Sequence, residues 1–237
     1  MFKRKRDLKL AAAYCLTIIG LLAAIMWGNR AVTAIVQEMP IRRSRYIVID
    51  AGHGGEDGGA ISCTGRREST YNLEIALRLR DLMHLLGYET KMIRTEDISV
   101  YTSGTTIAQK KISDLKHRVQ IVNETEDALL LSIHQNHFPD SRYSGGQVFF
   151  AGDGNSEALA ERMQSGFAAL DPGNHRRAKK SSGVYLMEHI RCTGVLIECG
   201  FLSNPEEETK LSSPEYQKKL CCVIAAAVGS YLAGADQ

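Results

Sequence analysis

The sequence first of all lacks a charge excess of either sign. Its 237 residues carry 29 Lys and Arg against 27 Asp and Glu, a formal net charge of +2. A nucleic-acid reader usually shows a strong basic excess or stripe, so this balance argues against one. Two local basic clusters remain, Arg42-Arg43-Ser44-Arg45 and the stretch from His175 to Lys180. They read as solvated loop charge, with an anionic glycan or membrane surface as the alternative. Also missing is any Cys-x-x-Cys pair among the six cysteines, Cys15, Cys63, Cys192, Cys199, Cys221 and Cys222, which removes the common metal and redox spacings. Buried free thiols are the default for cysteines so scattered, and a Cys63–Cys192 disulfide would suit an oxidising exterior. Cys221-Cys222 reads as core of a C-terminal helix, and Cys15 comes too early in its apolar run for a processed lipoprotein cysteine. No internal repeat is present.

What the sequence does have begins at residue 1. Met1-Phe2-Lys3-Arg4-Lys5-Arg6 precedes an apolar run from Leu8 to Gly28. A run of that length can cross a bilayer, and the basic cluster before it predicts a cytoplasmic N-terminus, with the remainder exported. Val32-Thr33-Ala34 loosely fits a cleavage site, but the run is longer than a usual signal core, which favours an uncleaved anchor. The expected organisation is a cytoplasmic basic segment over 1–7, a transmembrane anchor or signal over 8–28, a linker over 29–44 and one domain over 45–237. Targeting is then expected from the anchor, the cleft or a partner protein.

Within that domain, strands and helices alternate. Arg45 to Ala51 reads as a buried strand entering the Gly-rich turn Gly52-His53-Gly54-Gly55. A helix is expected over 70–86, with Leu73, Leu77, Leu79, Leu82 and Leu86 on a helical period and Gly87 as its stop. A strand is expected over 88–94, a loop over 95–109, and a helix over 110–123 with Ile112, Leu115, Val119 and Val122 inward. Ala128 to His134 is continuously apolar, the mark of a strand covered on both faces. Strands over 146–151, 183–187 and 195–199 follow, with helices over 156–170 and 214–232 and a basic loop over 171–182. This alternation predicts a three-layer αβα domain of the α/β class with a mostly parallel central sheet.

Four residues share one positional logic. His53, Glu68, His134 and Glu198 each fall at the C-terminal end of an expected strand or in the loop after it, the edge where open α/β sheets build sites. Two imidazoles and a carboxylate make a catalytic zinc shell with a fourth position left for water, and Glu198 would be the nearby carboxylate that moves its proton. Taken singly, each has a plainer reading: a hydrogen-bonded structural histidine, or an acid favouring a helix N-terminus in the case of Glu68. The glycines from Gly54 to Gly59 lack the Lys-Ser/Thr of a phosphate-binding loop and the spacing of a dinucleotide turn.

Five ordered segments sharpen this. Ile49-Asp50-Ala51-Gly52-His53-Gly54-Gly55, Glu68 with Asn72-Leu73, Arg94-Thr95, Ser132-Ile133-His134-Gln135-Asn136, and Ile197-Glu198-Cys199-Gly200-Phe201-Leu202-Ser203-Asn204 resemble the signature of the N-acetylmuramoyl-L-alanine amidase 3 family over residues 46–233. Ser113-Asp114-Leu115, Arg118-Val119 and Gly183-Val184-Tyr185-Leu186-Met187 bring it nearest to that family's germination-specific, spore-cortex branch in endospore formers. The resemblance implies a phosphorylase/hydrolase-like fold and one Zn2+ held by His53, Glu68 and His134. Glu198 matches the catalytic carboxylate. The implied substrate is peptidoglycan, cut between the lactyl group of N-acetylmuramic acid and L-alanine. The stripped muramic acid would then pass to a deacetylase and close to muramic δ-lactam. A vegetative amidase in cell separation, a peptidase cutting within the stem peptide, and a non-catalytic wall-binding relative are the alternatives. The family usually reads Ala-Asn-Ala after its second metal histidine, whereas this chain reads Gln135-Asn136-His137, and Cys199 stands where a small or β-branched residue is usual. Asn136 is an orienting candidate; His137 is a hydrogen-bonding contact to substrate or to a metal ligand, or a space-filling loop residue. The stretch from Asn136 to Gly183 is too short for the inserted plug helix of some relatives, so constitutive activity or a partner activator is expected.

Overall fold

The computed structural model describes residues 46–235. The expected segments over 1–7, 8–28 and 29–44, with Cys15, lie outside the described residues. Among the described residues no helix is long and apolar enough to cross a membrane.

The first strand, β1 (Ile47–Ala51), is buried at every position. It leads through a long Gly-rich loop into α1 (Glu68–Leu85) and then β2 (Thr90–Met92). Next come α2 (Ile107–Asn123), β3 (Leu129–Asn136), β4 (Gln147–Phe150), α3 (Gly154–Leu170), the two-residue β5 (Lys179–Lys180) and α4 (Tyr185–His189). The chain closes with β6 (Thr193–Phe201), α5 (Pro205–Ser212) and α6 (Pro214–Ala235). Among the described residues six strands form one sheet in the order β2-β1-β3-β6-β4-β5. Strands β2, β1, β3 and β6 run parallel, and β4 joins β6 antiparallel. The mostly parallel α/β architecture is thus the one expected.

Side chains alternate across the sheet with period two. Ile47, Ile49, Leu129, Leu131, Ile133, Val195 and Ile197 enter the larger core, whose helical layer supplies Tyr71, Ile75, Leu79, Leu159, Met163, Ile224 and Val228. Val48, Leu130 and Leu196 point the other way, against Val122, Leu186 and Met187 of α2 and α4. Strand β1 is flanked by β2 on one side and β3 on the other, so the chain reverses direction across the sheet there. With right-handed crossovers, α1 and α2 must take opposite faces, and in open α/β sheets such a switch point is where ligands bind, here at the C-terminal ends of β1 and β3.

Several local expectations shift. The strand over 183–187 is instead the short helix α4. Gly183 takes φ 74, a left-handed turn that breaks the extended run, and its N–H donates to the Glu188 carboxylate at 2.6 Å. Helix α2 starts three residues early because Thr106 and Gln109 close a capping box. Its inward face is polar as well as apolar: Ser113, Arg118 and Val122 are buried, whereas Ile112 is 55% exposed. On α1 the buried stripe is Tyr71, Asn72, Ile75, Leu79 and Met83, with Leu86 exposed beyond the helix end. Helix α5 is an addition, capped by the Asn204 side chain with Pro205 in its first turn. All five described cysteines are free thiols, and of the adjacent pair only Cys221 is buried.

Helix α2 turns a polar face inward because of one buried ion pair. Arg118 meets Asp50 of β1, and both are almost fully buried. Burial alone would raise the Asp50 pKa, but Arg118, His134 and the Ser132 hydroxyl outweigh it and hold the carboxyl below the usual carboxylate range. Removing one member of such a pair strands a buried charge. Arg118→Met is therefore expected to cost about 3–5 kcal/mol in equilibrium denaturation. Because the folded pKa of Asp50 is depressed, its contribution is complete above the unfolded value of about 3.9 and is lost as pH falls through the folded one. Acid unfolding of Asp50→Asn should accordingly show a shallower pH dependence than that of the parent.

Candidate metal centre

The loop after β1 is shaped before it presents any ligand. The carbonyls of Ala51 and Gly52 accept from the Arg94 guanidinium at 2.7 and 3.0 Å, and that of His53 accepts from Arg118 at 2.8 Å. With its oxygens taken by two buried cations, the chain is held in a tight turn in which His53 adopts φ 60. A left-handed histidine is strained and persists only where its surroundings over-determine it. Gly54 must be glycine: at φ 138, a Cβ would lie 2.3 Å from the Ile98 carbonyl oxygen.

Glu68 is the first residue of α1 and is buried. One carboxylate oxygen, Oε2, accepts from Ala60 N at 3.0 Å and lies 3.3 Å from His53 Nε2. The other, Oε1, accepts from Asn72 Nδ2 at 3.1 Å and Gln135 N at 3.2 Å and meets His134 Nδ1 at 3.0 Å. Burial raises its pKa, yet the hydrogen bond from His134 and the two imidazole charges more than reverse this, to about 2. His134 is pushed down by burial, but its hydrogen bond to Glu68 and the charges of Glu68, Glu198 and Asp50 together outweigh this, so its pKa is raised. His53, Glu68 and His134 thus converge, with one donor atom of each within 4.8 Å of the others.

Two histidine nitrogens and a carboxylate, partly open to solvent, suit a divalent zinc ion and leave one position free. Space is reserved around them. A Cβ on Gly52 would stand 2.2 Å from the His134 ring, and one on Gly59 would stand 2.5 Å from Glu68 Oε2 and 2.8 Å from His53. Asp57 accepts at 3.0 Å on the far nitrogen of His53, Nδ1, and this hydrogen bond is the main cause of its depressed pKa. Such a carboxylate fixes the tautomer and orientation of a ligating histidine. The donor set therefore fits the zinc that the sequence leads one to expect.

Glu198 faces this cluster. It is the register partner of His134 across β3 and β6, so the two side chains leave the same side of the sheet about 5 Å apart. Its Oε2 is buried and has no hydrogen-bond partner among the described residues. Burial above all, with His134 opposing and Glu68 assisting, pushes its pKa up to about 7. A buried carboxyl with a free oxygen, poised near neutrality, is the arrangement expected of a general base or acid. His137 is exposed and Asn136 half-buried, and neither side chain makes a hydrogen bond among the described residues.

The structure adds Asp57, Asn72, Arg94, Arg118 and Gln135 to the site. Asn72, Arg94, Arg118 and Gln135 lie inside the segments that carried the family resemblance, where their chemistry was unassigned. Asp57 had no sequence signal apart from its place four residues after His53.

A family model described as N-acetylmuramoyl-L-alanine amidase matches residues 47–230. The germination-specific N-acetylmuramoyl-L-alanine amidase of Bacillus subtilis (strain 168) is 37% identical over 190 residues, 79% of each chain. Among solved structures, the CwlD amidase of Clostridioides difficile in complex with the GerS lipoprotein superposes with a TM-score of 0.77 at 35% identity, over 80% of this chain and 98% of that one. A second amidase, from Clostridium difficile 630, gives 0.70 at 28% identity, over 80% and 97%.

Removing the carboxylate behind His53 should loosen the metal without unfolding the protein: Asp57→Asn is expected to lower zinc affinity 10–100-fold, read by competition with a chromogenic chelator. Gly52→Ala, which drives a methyl into the His134 ring, should lower it at least as far while circular dichroism remains that of the parent.

Proposed function

The chain belongs to the N-acetylmuramoyl-L-alanine amidase family, and from that premise we propose that it is a zinc-dependent amidase of spore-cortex peptidoglycan, with His53, Glu68 and His134 as metal ligands and Glu198 as the catalytic carboxylate. The observation that carries this is the unpartnered, buried Glu198 oxygen beside a His–Glu–His cluster. A zinc ion bound there supplies Lewis acidity toward the amide carbonyl and acidifies water. Glu198 takes the proton of the attacking water as its oxygen adds to the lactyl carbonyl carbon. The same carboxyl then hands the proton to the alanine nitrogen as the C–N bond breaks. The products are a lactyl carboxylate on the glycan and a stem peptide with a free N-terminal L-alanine. Arg94 and Arg118 keep the His53 loop in place throughout, because they hold three consecutive carbonyls of that loop.

Identity to the germination-specific enzyme of B. subtilis supports the cortex as the setting. There the exposed lactyl carboxylate would serve a deacetylation and ring closure to muramic δ-lactam. The lipoprotein bound to the similar C. difficile amidase supports an accessory protein for this chain also. Action is outside the cytoplasm, where peptidoglycan lies, with the segment over 8–28 as export signal or anchor.

Incubation with purified cortex peptidoglycan should release peptides whose new N-terminus is L-alanine, identified by mass spectrometry. Glu198→Gln is expected to lower the rate at least 10²–10⁴-fold with zinc content unchanged. Chelation should abolish the parent activity and zinc should restore it. Full activity in Glu198→Gln would remove that residue from the mechanism, and cleavage within the stem peptide would change the bond assigned.

A further inference from the structure

Three loops meet beside the metal-binding cluster. Leu202 N donates to the Asn136 carbonyl at 2.8 Å, and Cys63 N donates to the Leu202 carbonyl at 3.0 Å, which ties together the segments after β1, β3 and β6. From the β3 segment two aromatic side chains stand half out of the protein: Phe138 is 47% exposed and Tyr143 is 46% exposed. Their ring centroids are 4.6 Å apart at an interplanar angle of 63°. Phe138 is only four residues past His134, at most about 14 Å of extended chain.

This pair is held rigidly. Phe138 N donates to Ser203 Oγ at 3.1 Å, Tyr143 N to the Asp140 carbonyl at 3.3 Å, and Gly145 N to Glu207 Oε1 at 2.9 Å. The Tyr143 carbonyl accepts from Asn204 Nδ2 at 3.3 Å, and the Ser144 carbonyl accepts from Arg176 Nε at 2.7 Å. Beneath, the Tyr143 ring leans toward buried Phe201, with centroids 6.2 Å apart, and the Arg176 guanidinium lies 4.5 Å from Phe201. Arg176 Nη1 also donates to Gln147, which is the register partner of Glu198. Besides the bonds to Ser144 and Gln147, three of the five Arg176 N–H groups are open among the described residues. The loop is thus a preorganised apolar surface edged by hydrogen-bond donors, continuous with the catalytic edge of the sheet.

We propose that the Phe138–Tyr143 pair forms an angled platform, one ring stacking on the face of an N-acetylhexosamine ring of the glycan strand and the other flanking its edge, next to the muramoyl residue whose amide is cut; this inference rests on the amidase reading above. One face of a pyranose is an array of C–H groups whose partial positive charge suits an aromatic face. The hydroxyl and acetyl oxygens on its rim match the free Arg176 donors. The stem peptide begins with L-alanine, which is too small to cover two rings, whereas the strand that bears it presents sugar rings without interruption.

The test separates binding from turnover. In a Glu198→Gln background, retention on peptide-free glycan strands should fall about tenfold when Phe138→Ala and Tyr143→Ala are combined. In the active enzyme the same pair should lower the ratio of kcat/KM on long glycan strands to kcat/KM on a single muramoyl peptide about tenfold. Phe138→Trp should restore most of that ratio, and Leu85→Ala, at an exposed site at the far end of α1, should leave it as in the parent. Parental retention and ratio in the double variant would overturn the platform, even if its co-purification with a partner protein were lost. Absence of peptide release by the parent, with glycan retention still lost in the double variant, would leave the platform standing and overturn the amidase reading.

Discussion

Everything at the catalytic edge hangs on the Glu68 carboxylate. It opens α1, so its position is set by where that helix begins, and its two oxygens face His53 on one side and His134 on the other. The same oxygens hold the Ala60, Gln135 and Asn72 donors, which belong to the β1 loop, β3 and α1. A buried carboxylate without those partners would take up a proton rather than remain charged. With them it stays an anion between two imidazoles, an electrostatic arrangement suited to a divalent cation. Three parts of the chain that are far apart in sequence are thereby brought to one point.

Such a site needs a stiff foundation, and here the foundation is cationic. Arg94 and Arg118 approach the β1 loop from beneath and share its carbonyls, and Asp50 balances Arg118. Burial, then the neighbouring Arg118 charge, brings the Arg94 pKa down to about 10, which still leaves it charged. Helix α2 therefore gives up part of an apolar inner face in order to deliver Arg118. The strained backbone of His53 is stable because these contacts leave the loop no relaxed alternative. Position of ligands and position of supports are one structural decision, taken at the strand where the sheet order reverses.

The sheet edge at that point is built asymmetrically. On one side the long Gly-rich loop after β1 leaves His53 and His134 partly open; on the other the loop after β3 is pinned by Ser203, Asn204, Glu207 and Arg176 and carries its aromatic rings outward. A polymeric substrate crossing this edge would meet polar chemistry first and an apolar rim next. Glu198 lies between them, opposite both His134 and Gln147 on adjacent strands.

Much of this was legible in the chain itself. Continuous apolar runs marked β1 and β3, the alternation of strands and helices marked the sheet, and His53, Glu68, His134 and Glu198 could be picked out because parallel strands deliver their C-terminal ends to one edge. Other features depended on which face a helix turns inward: the leucines of α1 suggested one stripe, and Tyr71, Asn72, Ile75 and Met83 formed another. The stretch from Gly183 looked extended by composition, but a left-handed glycine and the Glu188 carboxylate made it helical. Residue type and order determined the strands, the turn at Gly52 and the candidate set of metal-binding side chains, because these follow from local periodicity and donor chemistry. Only the tertiary structure decided that Asp57 backs His53, that two arginines hold the loop, and that Glu198 keeps a buried oxygen without a partner, because each depends on distances between segments that sequence order leaves unspecified.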